Sequence, residues 1–532
     1  MTGNDFAVSV DLDAETRQLL FTNEVPTEDQ VHKLQLALQP LKTALHETDI
    51  AIANLRGSLE VLGQQRDELE RAVSEYQHIF SPIRRVPPCV LLVIFEHYVN
   101  GLPSTFDNVY LTNTLDPRHT ETPWKLAQIC RRWRYHALQT STLWTRIGAY
   151  IPASVSSDAL QKMRERLMVQ VSRAKGLLLT VSLVTQCCAA SAVPFLAGVA
   201  SRSEQIANLR VVANVDTFDV LDGLSRMVRG LLPFLQAITI HVHNVAGQLA
   251  QMPVKPPTLL GFVDAPRLRE VTIVGDTSDF TSIISLPWGQ LARLSSSLDQ
   301  YIGMILGSPF QVIQNITRVR ELSIRYTIAT NVDHTMSHIT LDYLHTLTIM
   351  TDIDGAQTVV ELLKNATFPS LQDFRISTIE ELVELYRFLG RHSHSITSFS
   401  FHPIAFSPVN RDQMTLQLLA SLPNLQSFTA YSVSQAVVDA LAEKNNDWVL
   451  APVLENLTFQ GRITLEDEAI LVAMIKKRSE GTLRRLALSM DISRSQLSPV
   501  TLNGLRELSD SNDLFLREAG VSRFPECMDW HL

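Results

Sequence analysis

The stretch Pro369-Ser370-Leu371-Gln372-Asp373-Phe374-Arg375-Ile376 sets Leu371, Phe374 and Ile376 in the spacing apolar-x-x-apolar-x-apolar, two residues after a proline. Its second half alternates apolar and polar, as a strand with one buried face must. The spacing returns as Leu178-Val181-Leu183, Ile206-Leu209-Val211, Leu235-Ile238-Ile240, Leu268-Val271-Ile273, Val319-Leu322-Ile324, Leu344-Leu347-Ile349, Ile396-Phe399-Phe401, Leu454-Leu457-Phe459 and Leu483-Leu486-Leu488. Weaker copies start at Leu291 and Leu425, and successive starts lie 23 to 33 residues apart. Helical patterns fall between the copies, as at Val359-Val360-Leu362-Leu363 and Ala469-Ile470-Val472-Ala473-Ile475. Strand alternating with helix at this period predicts an α/β solenoid with a curved parallel sheet over residues 175–532.

A proline precedes the first apolar residue by two positions at Pro233, Pro266, Pro369, Pro423 and Pro452. Proline there ends a helix and lacks only an amide that a strand start does not need. Within each strand, parity sends the residues between the apolar positions to the opposite face. Arg325, Arg375, His402, Tyr431 and Arg485 are the candidate target-binding residues on that face, because Arg and Tyr dominate interface energetics.

Ahead of the array stands a long helical pattern. Thr27 and Gln30 form a capping box after Pro26, which predicts a helix start. Leu34, Leu38, Leu41, Leu45, Thr48, Ile52, Leu55, Leu59, Leu62, Arg66, Leu69, Val73, Tyr76 and Phe80 then alternate steps of four and three. A repeat of about 3.5 residues keeps one stripe on a partner helix, so residues 27–80 read as a coiled coil, with a homodimer as one expected outcome. The alternative is packing on the chain's own next domain. Pro40 predicts a kink or a late start. Residues 1–26 are acidic and aperiodic and read as a disordered tail.

Residues 81–147 form a helical module. Pro87 and Pro88 suit a first helical turn, and Leu91, Ile94, Phe95 and Tyr98 then share a face. A second helix opens at Thr122-Pro123 with Leu126, Ile129, Cys130, Trp133 and Ala137 on its stripe, and an apolar turn follows at Leu143, Trp144 and Ile147. So few short helices cannot bury all these side chains among themselves. The segment Ser81 to Phe95 resembles the pattern S-P-I-R-R-L-P-P-E-(I/V)-L-x-x-I-F, and Cys130-Arg131-Arg132-Trp133-Arg134 through Ala137, Thr140, Leu143 and Trp144 resembles C-R-x-W-R-x-x-A-x-x-T-P-x-L-W. Both are marks of the F-box-like domain of mushroom-forming fungi. The departures are Val86 for Leu, Cys89 for Glu, and a long insertion over Leu102 to Glu121. The resemblance implies docking on a Skp-type adaptor of a cullin–RING ubiquitin ligase through Pro87, Leu91, Leu92, Phe95, Leu126, Ile129, Trp133, Leu143 and Trp144. It also fits the repeat array, which resembles leucine-rich repeats of the longer, irregular kind. Residues 148–174 read as a linker helix.

The net charge of −9 divides as −8 over residues 1–80, +4 over 81–147 and −5 over the rest. That balance argues against a nucleic-acid protein, despite the Arg131–Arg134 run. Five cysteines in 532 residues are no disulfide framework, and no apolar run has the roughly 20 residues of a membrane span. A cytoplasmic or nuclear location is expected. Phosphate-cradle, zinc-protease and nucleophile-elbow motifs do not occur, and the pairs His241-x-His243 and His392-x-His394 supply too few ligands to close a zinc site. The expectation is a non-enzymatic substrate receptor without cofactor or metal, and the alternative is an interaction scaffold with a degenerate module.

Overall fold

The computed structural model describes residues 14–22, 24–80, 82–101, 122–152, 154–186, 189–214, 218–243, 259–275, 284–298, 313–326, 338–351, 356–378, 383–403, 408–442, 450–465, 467–490, 498–511 and 515–520. The Leu102 to Glu121 insertion lies outside them. The chain divides into two compact units, Met1–Leu91 and Leu92–Leu532.

The first unit holds α1 (Ala14–Thr22), α2 (Glu28–Phe80) and the start of α3 (Pro88–Gly101). α2 begins where the capping residues place it: Gln30 Oε1 accepts from the Thr27 amide at 2.9 Å, and the Thr27 carbonyl accepts from Val31 at 2.9 Å. Pro40 lies inside the helix without ending it. Residues 14–22 are helical rather than disordered, and Gln30 Nε2 donates to Glu15 Oε1 at 2.8 Å, tying α1 to the first turn of α2.

In the second unit, α4 (Thr122–Ile129), α5 (Arg131–Gln139) and a 3-10 turn at Ser141–Trp144 lead into a 14-stranded sheet. Its strands are β1 (Arg146–Ile151), β2 (Leu179–Thr185), β3 (Ile206–Asn214), β4 (Ala237–His243), β5 (Glu270–Gly275), β6 (Arg293–Leu298) and β7 (Glu321–Tyr326). There follow β8 (Thr346–Thr351), β9 (Asp373–Thr378), β10 (Ser398–Pro403), β11 (Ser427–Ser434), β12 (Asn456–Thr464), β13 (Arg485–Met490) and β14 (Phe515–Gly520). Strand order is sequence order, and each strand pairs parallel with the next. The connections include α6 (Ser157–Arg173), α7 (Ala189–Ala200), α8 (Phe218–Val228), α9 (Ala356–Asn365), α10 (Val383–His392), α11 (Pro408–Ala420), α12 (Gln435–Leu441), α13 (Glu468–Ser479) and α14 (Pro499–Ser511). Right-handed crossovers in one direction put such helices on one face of the sheet. This is an α/β solenoid-like fold with a helical N-terminal region.

The register explains why the sequence spacing works. Ile147, Val181, Leu209, Ile238, Val271, Leu294, Leu322, Leu347, Phe374, Phe399, Phe428, Leu457 and Leu486 stand opposite one another on successive strands, and all are buried. A parallel ladder two residues further on runs from Ala149 to Leu488, broken only by Ser296 among the described side chains. The five prolines open turns rather than strands. Each precedes a bond from the amide of Leu235, Leu268, Leu371, Leu425 or Leu454 to the carbonyl three residues back, at 3.1–3.4 Å. Proline's fixed φ suits the second position of such a turn, and the first apolar residue closes it.

Two boundaries differ from expectation. Residues 148–174 hold the end of β1 and then the helix α6, so the expected linker helix is present but begins only at Ser157 and connects two strands of the sheet. The sheet begins at Arg146, and Trp144, Ile147 and Ala149 themselves fit the template. At β2 the buried residue is Leu179, while Leu178 is 42 % exposed, because the register with β3 shifts between Leu179 and Thr180.

Candidate docking surfaces

The helical module is built around tryptophans. The stripe expected to run through one helix from Thr122 to Ala137 is broken at Cys130, whose extended backbone caps α5 and whose Sγ accepts from the Trp133 amide at 3.4 Å. The break turns Ile129 outward, to 60 % exposure. Trp133 packs on Phe95 with ring centroids 4.8 Å apart, joining α5 to α3. Trp124 meets Trp144 edge to face at 5.0 Å, and the Arg173 guanidinium lies 4.4 Å from both ring centres. Trp144 Nε1 donates to the Ala137 carbonyl at 2.7 Å. Arg173 closes α6 and Gln170 Nε2 donates to the Arg146 carbonyl at 2.7 Å, so the module and the first strand–helix pair share one core. Burial lowers the Arg173 pKa, and the two ring faces compensate the desolvated cation.

Of the residues that the F-box resemblance singles out, Leu91, Phe95, Leu126, Leu143 and Trp144 are buried, Leu92 and Trp133 are half-buried, and Pro87 and Ile129 are exposed. Val93, Ile94 and Tyr98 on α3 are 41–63 % exposed. Ile94 and Cys130 are open to solvent, while Ala137 is buried. The basic run is partly structural, since Arg134 Nε donates to the Ala127 carbonyl at 2.8 Å. Exposed Val93 and the bracing cation Arg173 escaped the sequence reading; the apolar Val93 next to the i, i+4 pair Ile94 and Tyr98 was the available signal.

The second surface is the polar face of the sheet. Arg375 forks onto Asp373 Oδ2 at 2.7 and 3.1 Å, and Ser398 Oγ donates to Asp373 Oδ1 at 2.9 Å. His402 stacks on Tyr431 at 3.9 Å. Arg485 is exposed, and Arg325 holds its place in register between Ser297 and Met350, its side chain lying outside the described residues. Arg293, which sequence reasoning missed, bridges Glu270 at 3.0 Å and Glu321 at 3.6 Å across three strands. Rows of small hydroxyl residues run between these charges, from Thr239 through Thr272, Ser295 and Ser323 to Thr348. The face is therefore a hydrogen-bonding surface on which Arg293 and Arg375 are paired with carboxylates.

His392 ends α10: its Nε2 accepts from the Phe368 amide at 3.0 Å and its Nδ1 donates to the Phe388 carbonyl at 2.8 Å. Both ring nitrogens are committed, and the ring is neutral. Burial lowers its pKa, the Phe388 bond opposes that, and Arg391 and His394 add to the lowering. Burial pushes His402 down to about 4. Because the unfolded chain binds protons near 6.5 and the folded chain does so only at lower pH, stability is complete above that range. It falls as pH drops below about 6.5, with a slope of up to about 1.4 kcal/mol per pH unit for each ring. Chemical denaturation between pH 7.5 and pH 5 reads the slope directly, and His402→Gln is expected to reduce it.

Among the described residues no single helix is long and apolar enough to cross a membrane, and no three His, Cys, Asp or Glu side chains gather at metal-binding range. No family model matches the chain, and no curated protein matches it.

Proposed function

We propose that the chain is an F-box-type substrate receptor, whose helical module docks a Skp-type adaptor of a cullin–RING ubiquitin ligase and whose sheet, an irregular leucine-rich-repeat array, binds a target protein. The observation that carries this reading is the division of labour inside the module. Leu126, Leu143 and Trp144 are buried and fix the helices, while Val93, Ile94, Tyr98 and Ile129 remain open on them. Exposed apolar side chains held on a rigid support are what an interface core requires. Pro87 and Ile129, with half-open Leu92 and Trp133, are the docking residues the resemblance implies that remain accessible. On the polar face, Arg375, His402, Tyr431 and Arg485, with Arg325 in register beside them, are the target-reading residues. Catalysis then comes from other subunits, and this chain acts by holding a target near a charged enzyme. A cytoplasmic or nuclear location follows from that role.

One observation favours the scaffold reading. Trp144 occupies the first position of the repeat template and is clasped by Arg173, so the module also serves as the end cap of the sheet. Co-expression with a Skp-type adaptor followed by size exclusion separates the two. Co-elution of the parent chain, lost in a Val93→Asp, Ile129→Asp variant of unchanged stability, supports the receptor. A folded parent chain that elutes alone leaves the module as a cap.

A further inference from the structure

We infer that α2 is the dimerisation element of this protein and that it pairs with α2 of a second copy in antiparallel orientation, about a dyad between Ala53 and Asn54. This goes beyond the adaptor reading and does not depend on it. The seam is open: Leu45, Leu55, Leu59, Leu62 and Leu69 are each more than 60 % exposed. An apolar stripe of about 3.5-residue period along 53 residues requires a partner of the same period and length, and a second α2 supplies both.

Three features choose the orientation. In a parallel pair each seam residue meets its own copy, so Arg66 would face the partner's Arg66 inside the seam. Antiparallel pairing about the helix midpoint instead sets Arg66 against the partner's Leu41, where its stem packs while its head stays at the rim. That rim position is already defined by Asp67 at 3.0 Å and Glu70 at 3.7 Å.

The second feature is charge. One flank of the seam carries Lys42, Asp49, Arg56 and Glu70, and the other carries Ala37, Ala44, Ala51, Ser58 and Ala72. Parallel pairing puts charged flank against small flank, Asp49 beside the partner's Ala44 and Arg56 beside the partner's Ala51, and no opposite charges meet. Antiparallel pairing puts like flank against like flank, so Asp49 faces the partner's Arg56 and Arg56 faces the partner's Asp49. The small flanks then meet each other and let the backbones approach.

The third is register. The dyad that pairs Asp49 with the partner's Arg56 also pairs Ile52 with the partner's Leu55 and Leu38 with the partner's Leu69. Its centre coincides with the middle of Glu28–Phe80, so both helices overlap along their whole length. At about 1.5 Å per residue the rod is about 80 Å long, and the two Phe80 ends, from which the rest of each chain continues, leave at opposite ends.

Light scattering on the full chain is expected to give twice the 59.6 kDa chain mass. Oxidative cross-linking reads the orientation. Chains carrying Leu38→Cys or Leu69→Cys alone should form no dimer bond beyond that of the parent chain, and an equimolar mixture should form one. Asp49→Arg should raise the dimer dissociation constant roughly tenfold, and Asp49→Arg with Arg56→Asp should restore it, since the swapped pair re-forms across the dyad. A monomeric parent chain, or cross-links in each single-cysteine chain alone, would overturn the inference.

Discussion

Trp144→Ala is expected to lower the stability of the Leu92–Leu532 unit by about 3–5 kcal/mol, the range for deleting a fully buried large aromatic side chain. Trp144 is 0 % exposed and has three separate partners. Its indole N–H donates to the Ala137 carbonyl, its face holds Arg173, and its ring meets that of Trp124 in a T-shaped contact. Removal leaves the carbonyl unpaired and takes away half of the aromatic enclosure of a desolvated cation. Because the module and the first strand–helix pair share this core, the loss should appear in both: thermal unfolding shifts down, and hydrogen exchange speeds up in α5 and in β1. Exchange confined to α4 and α5 would show that the module folds apart from the sheet.

Arg478→Met is expected to cost a similar amount, about 3–5 kcal/mol, from the far end of the array. Arg478 on α13 is 1 % exposed. Its Nε and Nη2 donate to the Leu441 carbonyl at 2.9 and 2.8 Å, its Nη1 to Ala451 at 2.9 Å and its Nη2 to Leu450 at 2.9 Å. Burial lowers its pKa to about 10, which leaves it protonated at neutral pH. All four of these bonds go to backbone carbonyls. Leu441 ends α12, where the helix dipole presents its negative end, and Ala451 sits at φ 47°, a left-handed conformation costly for a residue with a Cβ. The guanidinium fork thus holds a helix end and a strained turn together. Methionine fills the volume but leaves the carbonyls unpaired, and lysine cannot reach all of them from one ammonium. Urea unfolding of the full chain, with exchange rates at α12 and β12, measures the loss; an unchanged midpoint for Arg478→Met would mean that these carbonyls find other donors.

The sheet was legible because burial follows a period that a linear sequence carries. The last two residues of every recognised apolar triplet fall on consecutive strands, and Phe374, Phe399 and Phe428 stack along the ladder at 5.9 and 6.4 Å. The beginning of the sheet was not, because Trp144 reads as a module aromatic although it also opens the spacing that Ile147 and Ala149 complete. Nor could the sequence divide the module's apolar residues into support and rim. The break at Cys130 decides that Ile129 points outward, and it depends on a thiol accepting from the Trp133 amide, a contact without apolar periodicity. The half-buried cation Arg173 and the buried Arg478 look like surface residues in a linear reading, since only the tertiary arrangement of rings and carbonyls shows what holds them. On the polar face, parity located Arg375, with Asp373 two residues before it on the same strand, and also His402 and Tyr431; that His402 stacks on Tyr431 comes from the register of neighbouring strands.

The central claim is that this chain presents a preformed adaptor-docking surface at the head of a parallel sheet, and calorimetric titration of a purified Skp-type adaptor into the full chain tests it most directly. The account predicts saturable binding to the parent chain and at least tenfold weaker binding to Val93→Asp, with unfolding midpoints the same for both. Absence of binding by the folded parent chain, or equal affinity for Val93→Asp, would contradict it.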